Sequence, residues 1–114
     1  THDNDTLMGL IEKFSDWDKN NLINGVTSSL KAFGIKKKTE DDKSLAIAMI
    51  TLGFACKANL FVLPMQDLLL KGGEMRINEP GTVKLSNWAV RFKKSDFTKK
   101  TQEKLLNLTK KYSR

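Results

Sequence analysis

The sequence predicts a mainly α fold with one or two short strands, in a single domain. Three observations support this. The 114 residues match one domain of ordinary size. Apolar residues recur at helical spacing in four separate stretches. The one compact β-type run, Leu60-Phe61-Val62-Leu63, is short and is closed by Pro64. Hydrophobic residues make up 39% and charged residues 29%, which places the chain among folded rather than disordered ones.

In chain order, Leu7, Leu10, Ile11 and Phe14 predict a short amphipathic helix over 8–14. Ser15 and Asp16 offer a break, and Asp18 is the expected N-cap of a second helix reaching Phe33. Leu22, Val26, Leu30 and Phe33 form its stripe, and Gly34 stands where the residue after a helix takes positive φ. Lys36, Lys37 and Lys38 read as a solvated connector. Thr39 or Asp41 then caps a third helix over 42–57. Its apolar residues, from Leu45 to Leu52, fall on nearly every face, which implies cover on more than one side.

Leu60 to Leu63 reads as a strand buried on both faces, as in a parallel sheet, with neighbours that must come from elsewhere. Residues 65–70 can form a short helix that Gly72-Gly73 breaks. Glu79-Pro80-Gly81-Thr82 reads as a turn, Pro fixing one φ and Gly tolerating the positive one. No helical period runs through residues 77–97, and an irregular stretch of that length is usually functional. Thr98 caps a last helix to Tyr112, with Leu105, Leu106 and Leu108 expected on its inner side.

The charge is unevenly placed. Residues 1–90 hold 11 basic and 11 acidic groups, so the whole formal +7 falls in residues 91–114, where 9 basic groups face only Asp96 and Glu103. A basic terminal helix can serve nucleic acid or another anionic partner, or can simply be a solvated face. The solvated face is the reading taken, because charge alone gives no specificity. The apolar run from Leu45 to Cys56 is too short for a bilayer core, which needs about 20 residues. The opening Thr1-His2-Asp3-Asn4-Asp5 has neither the basic flank nor the apolar stretch of a secretory signal. The expectation is therefore a chain without membrane or export segments. A single Cys56 allows no intrachain disulfide and suits a reducing compartment. One His and one Cys exclude the usual zinc sites.

Two groups of residues could carry chemistry. In the first, Asp3-x-Asp5 invites a calcium-loop reading, but Leu7 and Met8 stand where an EF-hand loop needs an acceptor and a Gly. A helix start explains one Asp of this cluster but not all of His2-Asp3-Asn4-Asp5. The second group is Gln66-Asp67, Gly73-Glu74-Met75-Arg76-Ile77-Asn78, Pro80-Gly81, Asn87-Trp88 and Arg91. Carboxylates and amides suit sugar hydroxyl pairs, and an indole suits the apolar face of a sugar ring. The plainer reading is a loop network in which Asp67 or Glu74 pairs with Arg76 or Arg91.

Taken together, these motifs resemble the C-terminal part of the 4-α-glucanotransferases, also called amylomaltases or disproportionating enzymes. Thr1-His2-Asp3-Asn4-Asp5-Thr6 is similar to the family's segment at the end of the seventh barrel strand. Pro64-Met65-Gln66-Asp67, then Gly73 to Asn78, Pro80-Gly81 and Asn87-Trp88 with Arg91 resemble its closing signature. The chain departs from the family at Leu10 and Val90, where tryptophan is usual, and at Ser86, where glycine is usual.

The resemblance implies a C-terminal fragment of a (β/α)₈ TIM barrel, with its site at the C-terminal ends of the strands. The fragment would hold the end of strand seven, the helices after it, strand eight, the signature loops and the terminal helix. A chain that opens on such a motif without an initiator Met fits that expectation. The implied activity is retaining transfer of α-1,4-glucan segments between maltooligosaccharides in the cytoplasm, without a cofactor or metal. Asp3 matches the third carboxylate, which stabilises the oxocarbenium-like state. His2 matches a histidine that binds a sugar hydroxyl, and Asn78 matches an amide lining the glucan site. The family's nucleophile and acid/base match no residue here, so the fragment is expected to be inactive alone. Its expected partners are a maltooligosaccharide or glucan and the N-terminal remainder of the barrel, with self-association when isolated. No nucleic-acid or membrane partner is expected.

Overall fold

Side-chain caps set the helix starts. Thr6 Oγ1 accepts the Gly9 amide at 3.0 Å and opens α1 (Leu7–Lys13). Ser15, not Asp18, caps α2 (Asp16–Ala32). Its hydroxyl accepts the Asp18 amide at 3.1 Å and donates to the Asp18 carboxylate at 2.6 Å. Ser15 has the extended backbone a cap needs, whereas Asp18 already lies in the first helical turn. Asp41 Oδ1 accepts the Ser44 amide at 2.9 Å and opens α3 (Asp42–Ala55). Pro64 precedes the single turn of α4 (Met65–Leu68), and Thr98 caps α5 (Lys99–Lys111). In this computed structural model, which describes residues 1–114, the remaining regular pieces are 3₁₀ turns at Gly73–Met75 and Lys94–Asp96.

The core follows the apolar stripes. Met8 and Ile11 of α1, Val26 and Leu30 of α2, and Leu45, Ala46 and Ala48 of α3 form one buried cluster. Each fully buried Leu or Ile contributes about 1.5–3 kcal/mol relative to exposure. α3 lies against α1, α2 and α5, which is why its apolar residues occupy several faces. The end of α2 is fixed by Gly34, at φ +69°. The Gly34 amide donates to the Lys31 carbonyl and the Ile35 amide to the Leu30 carbonyl, both at 2.9 Å, closing the helix with a left-handed turn. The expected turn at residues 79–82 is present, with Gly81 at φ +74° and the Thr82 amide on the Glu79 carbonyl.

Two further expectations are corrected. The chain forms no β-strand. Leu60–Leu63 is extended but makes no ladder, because every other segment is helix or loop and offers no strand partner. Only one face of this run packs. The Phe61 ring lies against Gly53 of α3 and edge-on to Phe54, with centroids 5.2 Å apart, while Leu60 and Val62 are 77% and 72% exposed.

The second correction concerns α5. Leu105 and Leu106 are exposed, not inward. The half-buried residues are Thr101, Lys104, Leu108, Thr109 and Tyr112, which gather on one side at helical spacing. Lys104 Nζ donates to the Leu68 carbonyl at 3.3 Å, and burial lowers its pKa. Arg114 then folds back onto the end of α3, donating to the carbonyls of Phe54, Cys56 and Ala58. The Phe54 carbonyl is one of those that the last turn of a helix leaves free.

Candidate functional site

The opening motif and α1 are fastened to the rest of the chain at several points. Asp67, in α4, reaches across to the start of α1, where its Oδ1 accepts the Leu7 amide at 2.7 Å. Thr6 and Asp67 thus share the free amides of one helix end. Burial raises the Asp67 pKa, the nearby Asp5 carboxylate adds to that, and the Leu7 amide opposes it. Asp5 lies between α1 and the 3₁₀ turn. Its side chain is only 7% exposed, its Oδ1 accepts the Thr6 amide at 2.8 Å and its Oδ2 pairs with Lys13.

The second fastening is a close approach of main chains. A Cβ built on Gly9 would stand 2.8 Å from both the Cα and the N of Gly73, so α1 and the 3₁₀ turn meet backbone to backbone. This contact places the segment after Gly73 directly beside Asp3. Arg76 Nη2 donates to the Asp3 carbonyl at 2.7 Å, and Arg76 Nε to the Asn78 carbonyl at 2.8 Å. Asn78 Nδ2 in turn donates to Asp3 Oδ1 at 2.8 Å.

His2 completes the cluster. Its Nε2 lies 3.3 Å from Asp3 Oδ1, and its ring packs against Trp88 with centroids 4.9 Å apart. Trp88 is held at φ +63°, unusual for a bulky residue, and its amide donates to the Ile77 carbonyl at 2.7 Å. Asn87 pins the intervening turn, accepting the Glu79 amide and donating to Thr82. A cleft of about 460 Å³ beside the cluster is lined by Asn4, Asp5, Leu10, Val62, Gln66 and Asp67, with Asp3 and Asn78 outside its lining.

The structure therefore brings together Asp3, His2 and Asn78, the three residues singled out from the sequence. It does not form the carboxylate–arginine pairs expected of the loop network. Asp67 caps α1, Glu74 accepts the nearby Gly72 amide, Arg76 binds two main-chain carbonyls and Arg91 donates to its neighbour Val90. The Gly9–Gly73 contact and the seat of Trp88 on His2 escaped the sequence reading. A glycine inside a helix of seven residues was the available signal for the first.

Chemically, Asp3 is the free carboxylate of this cluster. Its side chain is 47% exposed, Oδ1 is engaged and Oδ2 accepts no hydrogen bond from the chain. Such a group can bind hydroxyls or face a developing positive charge. Asp5 and Asp67 are already committed to Lys13 and to the α1 amide. No three His, Cys, Asp or Glu side chains converge as a metal site would require.

A family model described as 4-alpha-glucanotransferase, glycosyl hydrolase 77, matches residues 1–98. The chain belongs to the 4-α-glucanotransferase family. It is 34% identical to the 4-alpha-glucanotransferase of Clostridium butyricum over 114 residues, all of this chain and 21% of that protein. It is 35% identical to that of Thermus thermophilus over 91 residues, 80% of this chain and 17% of the relative. Among solved structures, an amylomaltase from Streptococcus agalactiae in complex with acarbose superposes with a TM-score of 0.81 at 27% identity, covering all of this chain and 21% of that one. The chain thus spans about a fifth of the length of the 4-α-glucanotransferases it matches. No helix in it is long and apolar enough to cross a membrane.

Proposed function

We propose that residues 1–114 are the C-terminal segment of the catalytic (β/α)₈ barrel of a 4-α-glucanotransferase, and that Asp3 is a catalytic carboxylate of its site. The coverage of about a fifth of each relative, together with family membership, supports this reading. The extended Leu60–Leu63 run takes its place in the barrel wall when the remainder of the barrel is beside it. The site opens at the C-terminal ends of the barrel strands.

The reaction is a double displacement. A carboxylate outside residues 1–114 attacks the anomeric carbon, and the bond to the glucosidic oxygen breaks. An acid/base carboxyl, also outside these residues, gives its proton to that leaving oxygen. The hydroxyl of an acceptor sugar then attacks the glucosyl–enzyme ester, returns a proton to the same base and frees the nucleophile. Two inversions leave the α configuration intact. Asp3 stabilises the positive charge that grows at the ring carbon in both steps, and His2 and Asn78 hold ring hydroxyls. The observation that carries this reading is the Asp3 carboxylate itself: half-exposed, with one oxygen held by Asn78 at 2.8 Å.

The substrate is a maltooligosaccharide or glucan, the enzyme is cytoplasmic, and no cofactor takes part. The basic C-terminal helix is a solvated face. Nucleic-acid binding calls for aromatics interleaved with basic groups, and α5 ends on a single aromatic, Tyr112, which packs toward Phe54. The test of the function is product analysis of the intact enzyme with maltotriose. Glucose and longer α-linked maltooligosaccharides with a constant count of reducing ends are expected. A rising count of reducing ends, or new β linkages, would contradict it.

A further inference from the structure

Arg76 forms no ion pair with a carboxylate of the chain and is held inside the cluster by two different main-chain carbonyls. Its Nε donates to Asn78 and its Nη2 to Asp3, at 2.8 and 2.7 Å. The side chains of those same two residues are bonded to each other at 2.8 Å. The three bonds close a small ring through Arg76, Asp3 and Asn78, joining segments that are far apart in sequence. A planar guanidinium suits this role because its donors leave in fixed directions, whereas an ammonium is a single point.

We infer that Arg76 is a positioning residue for the reaction, tying the Asp3 and Asn78 main chains together so that Asp3 presents Oδ2 to the substrate. This rests on the catalytic role proposed for Asp3. With the ring closed, Oδ1 is turned onto Asn78 and only Oδ2 remains free toward a sugar. With the ring open, the Asp3 peptide loses its tether to the signature loop and the carboxylate is no longer aimed. Misplacing a catalytic group by about 1 Å can cost about a hundredfold in rate. The effect falls on the chemical step rather than on binding, because stabilisation of developing charge exists only in the transition state.

The test is steady-state kinetics of maltotriose disproportionation by the intact enzyme carrying Arg76→Lys or Arg76→Gln, with thermal melting of each variant. Turnover is expected to fall about 10- to 100-fold, with KM within about threefold and a melting temperature close to that of the parent. Lys is expected to rescue little, although it keeps the charge. Near-normal kcat in either folded variant would overturn the inference, as would a loss confined to KM. Loss of the folded state in both variants would assign Arg76 to stability and overturn it as well. The role of Asp3 is read separately from Asp3→Asn. If that variant is impaired while Arg76→Lys is not, the positioning role alone falls.

Discussion

Gly9 and Gly73 touch through their main chains: a Cβ on Gly9 would come within 2.8 Å of the Gly73 Cα and N and within 2.6 Å of Asp5 Oδ1. This contact seats the segment that carries Arg76 and Asn78 against α1, and both residues then bond to Asp3.

The Asp5 carboxylate can swing aside, but the Gly73 backbone cannot yield without moving the turn. Gly9→Ala is therefore expected to destabilise the enzyme by about 1–3 kcal/mol, despite the better helix propensity of alanine. Chemical denaturation of the intact enzyme checks it. A variant as stable as the parent would show that the two segments are not held this closely.

Asp67 makes a prediction about pH. Its folded-state pKa is raised above 3.8, with burial the largest cause. The folded form then holds more protons than the unfolded form from about 3.8 up to the raised value. Stability falls as pH rises through that window, and ionised Asp67 opposes folding at neutral pH. Asp67→Asn keeps an oxygen for the Leu7 amide and removes the charge. It should be neutral or stabilising at pH 7 and should flatten this part of the pH profile. Asp67→Ala leaves the amide without its acceptor and should cost about 0.5–2 kcal/mol. Melting of both variants between pH 3 and 8 decides it, and an Asn variant as damaged as the Ala variant would refute it.

The helices were legible because their stripes, most of their caps and Gly34 act locally, although Ser15 rather than Asp18 caps α2 and Phe33, expected in its stripe, is exposed. Leu22, Val26 and Leu30 bury one face whatever surrounds them, and Asp41 caps the helix that follows it. The cluster of Asp3, His2 and Asn78 was legible only through its motifs, since no spacing rule joins residues so far apart. The strand at Leu60–Leu63 was misread because β-type composition describes a surface that fits between neighbours, and this chain supplies cover only on the side of Phe61 and Leu63. Leu105 and Leu106 misled for a similar reason. Apolarity showed that they need cover, but the face that α5 turns inward is set by Thr101, Lys104, Leu108 and Tyr112.

These exposed residues make their own prediction. Leu60 and Val62, on one side of the extended run, are open to solvent and have no cover within the chain. Isolated 1–114 should self-associate, or stay docked when the remainder of the barrel is supplied, and should show no transferase activity alone. Size-exclusion chromatography with an activity assay checks both. A well-behaved monomer that turns over maltooligosaccharides would mean that the nucleophile and acid/base lie within these residues.

The most direct measurement is the turnover of maltotriose by the intact enzyme carrying Asp3→Asn. The substitution keeps the side-chain volume and leaves an oxygen to accept the Asn78 amide, so folding should be unchanged. It removes the negative charge that, in the proposed mechanism, faces the developing cation. Turnover should fall by about two to three orders of magnitude, with the melting temperature unaltered. An Asn variant that disproportionates maltotriose at a near-normal rate would contradict the catalytic role of Asp3 and the reading of the site built around it.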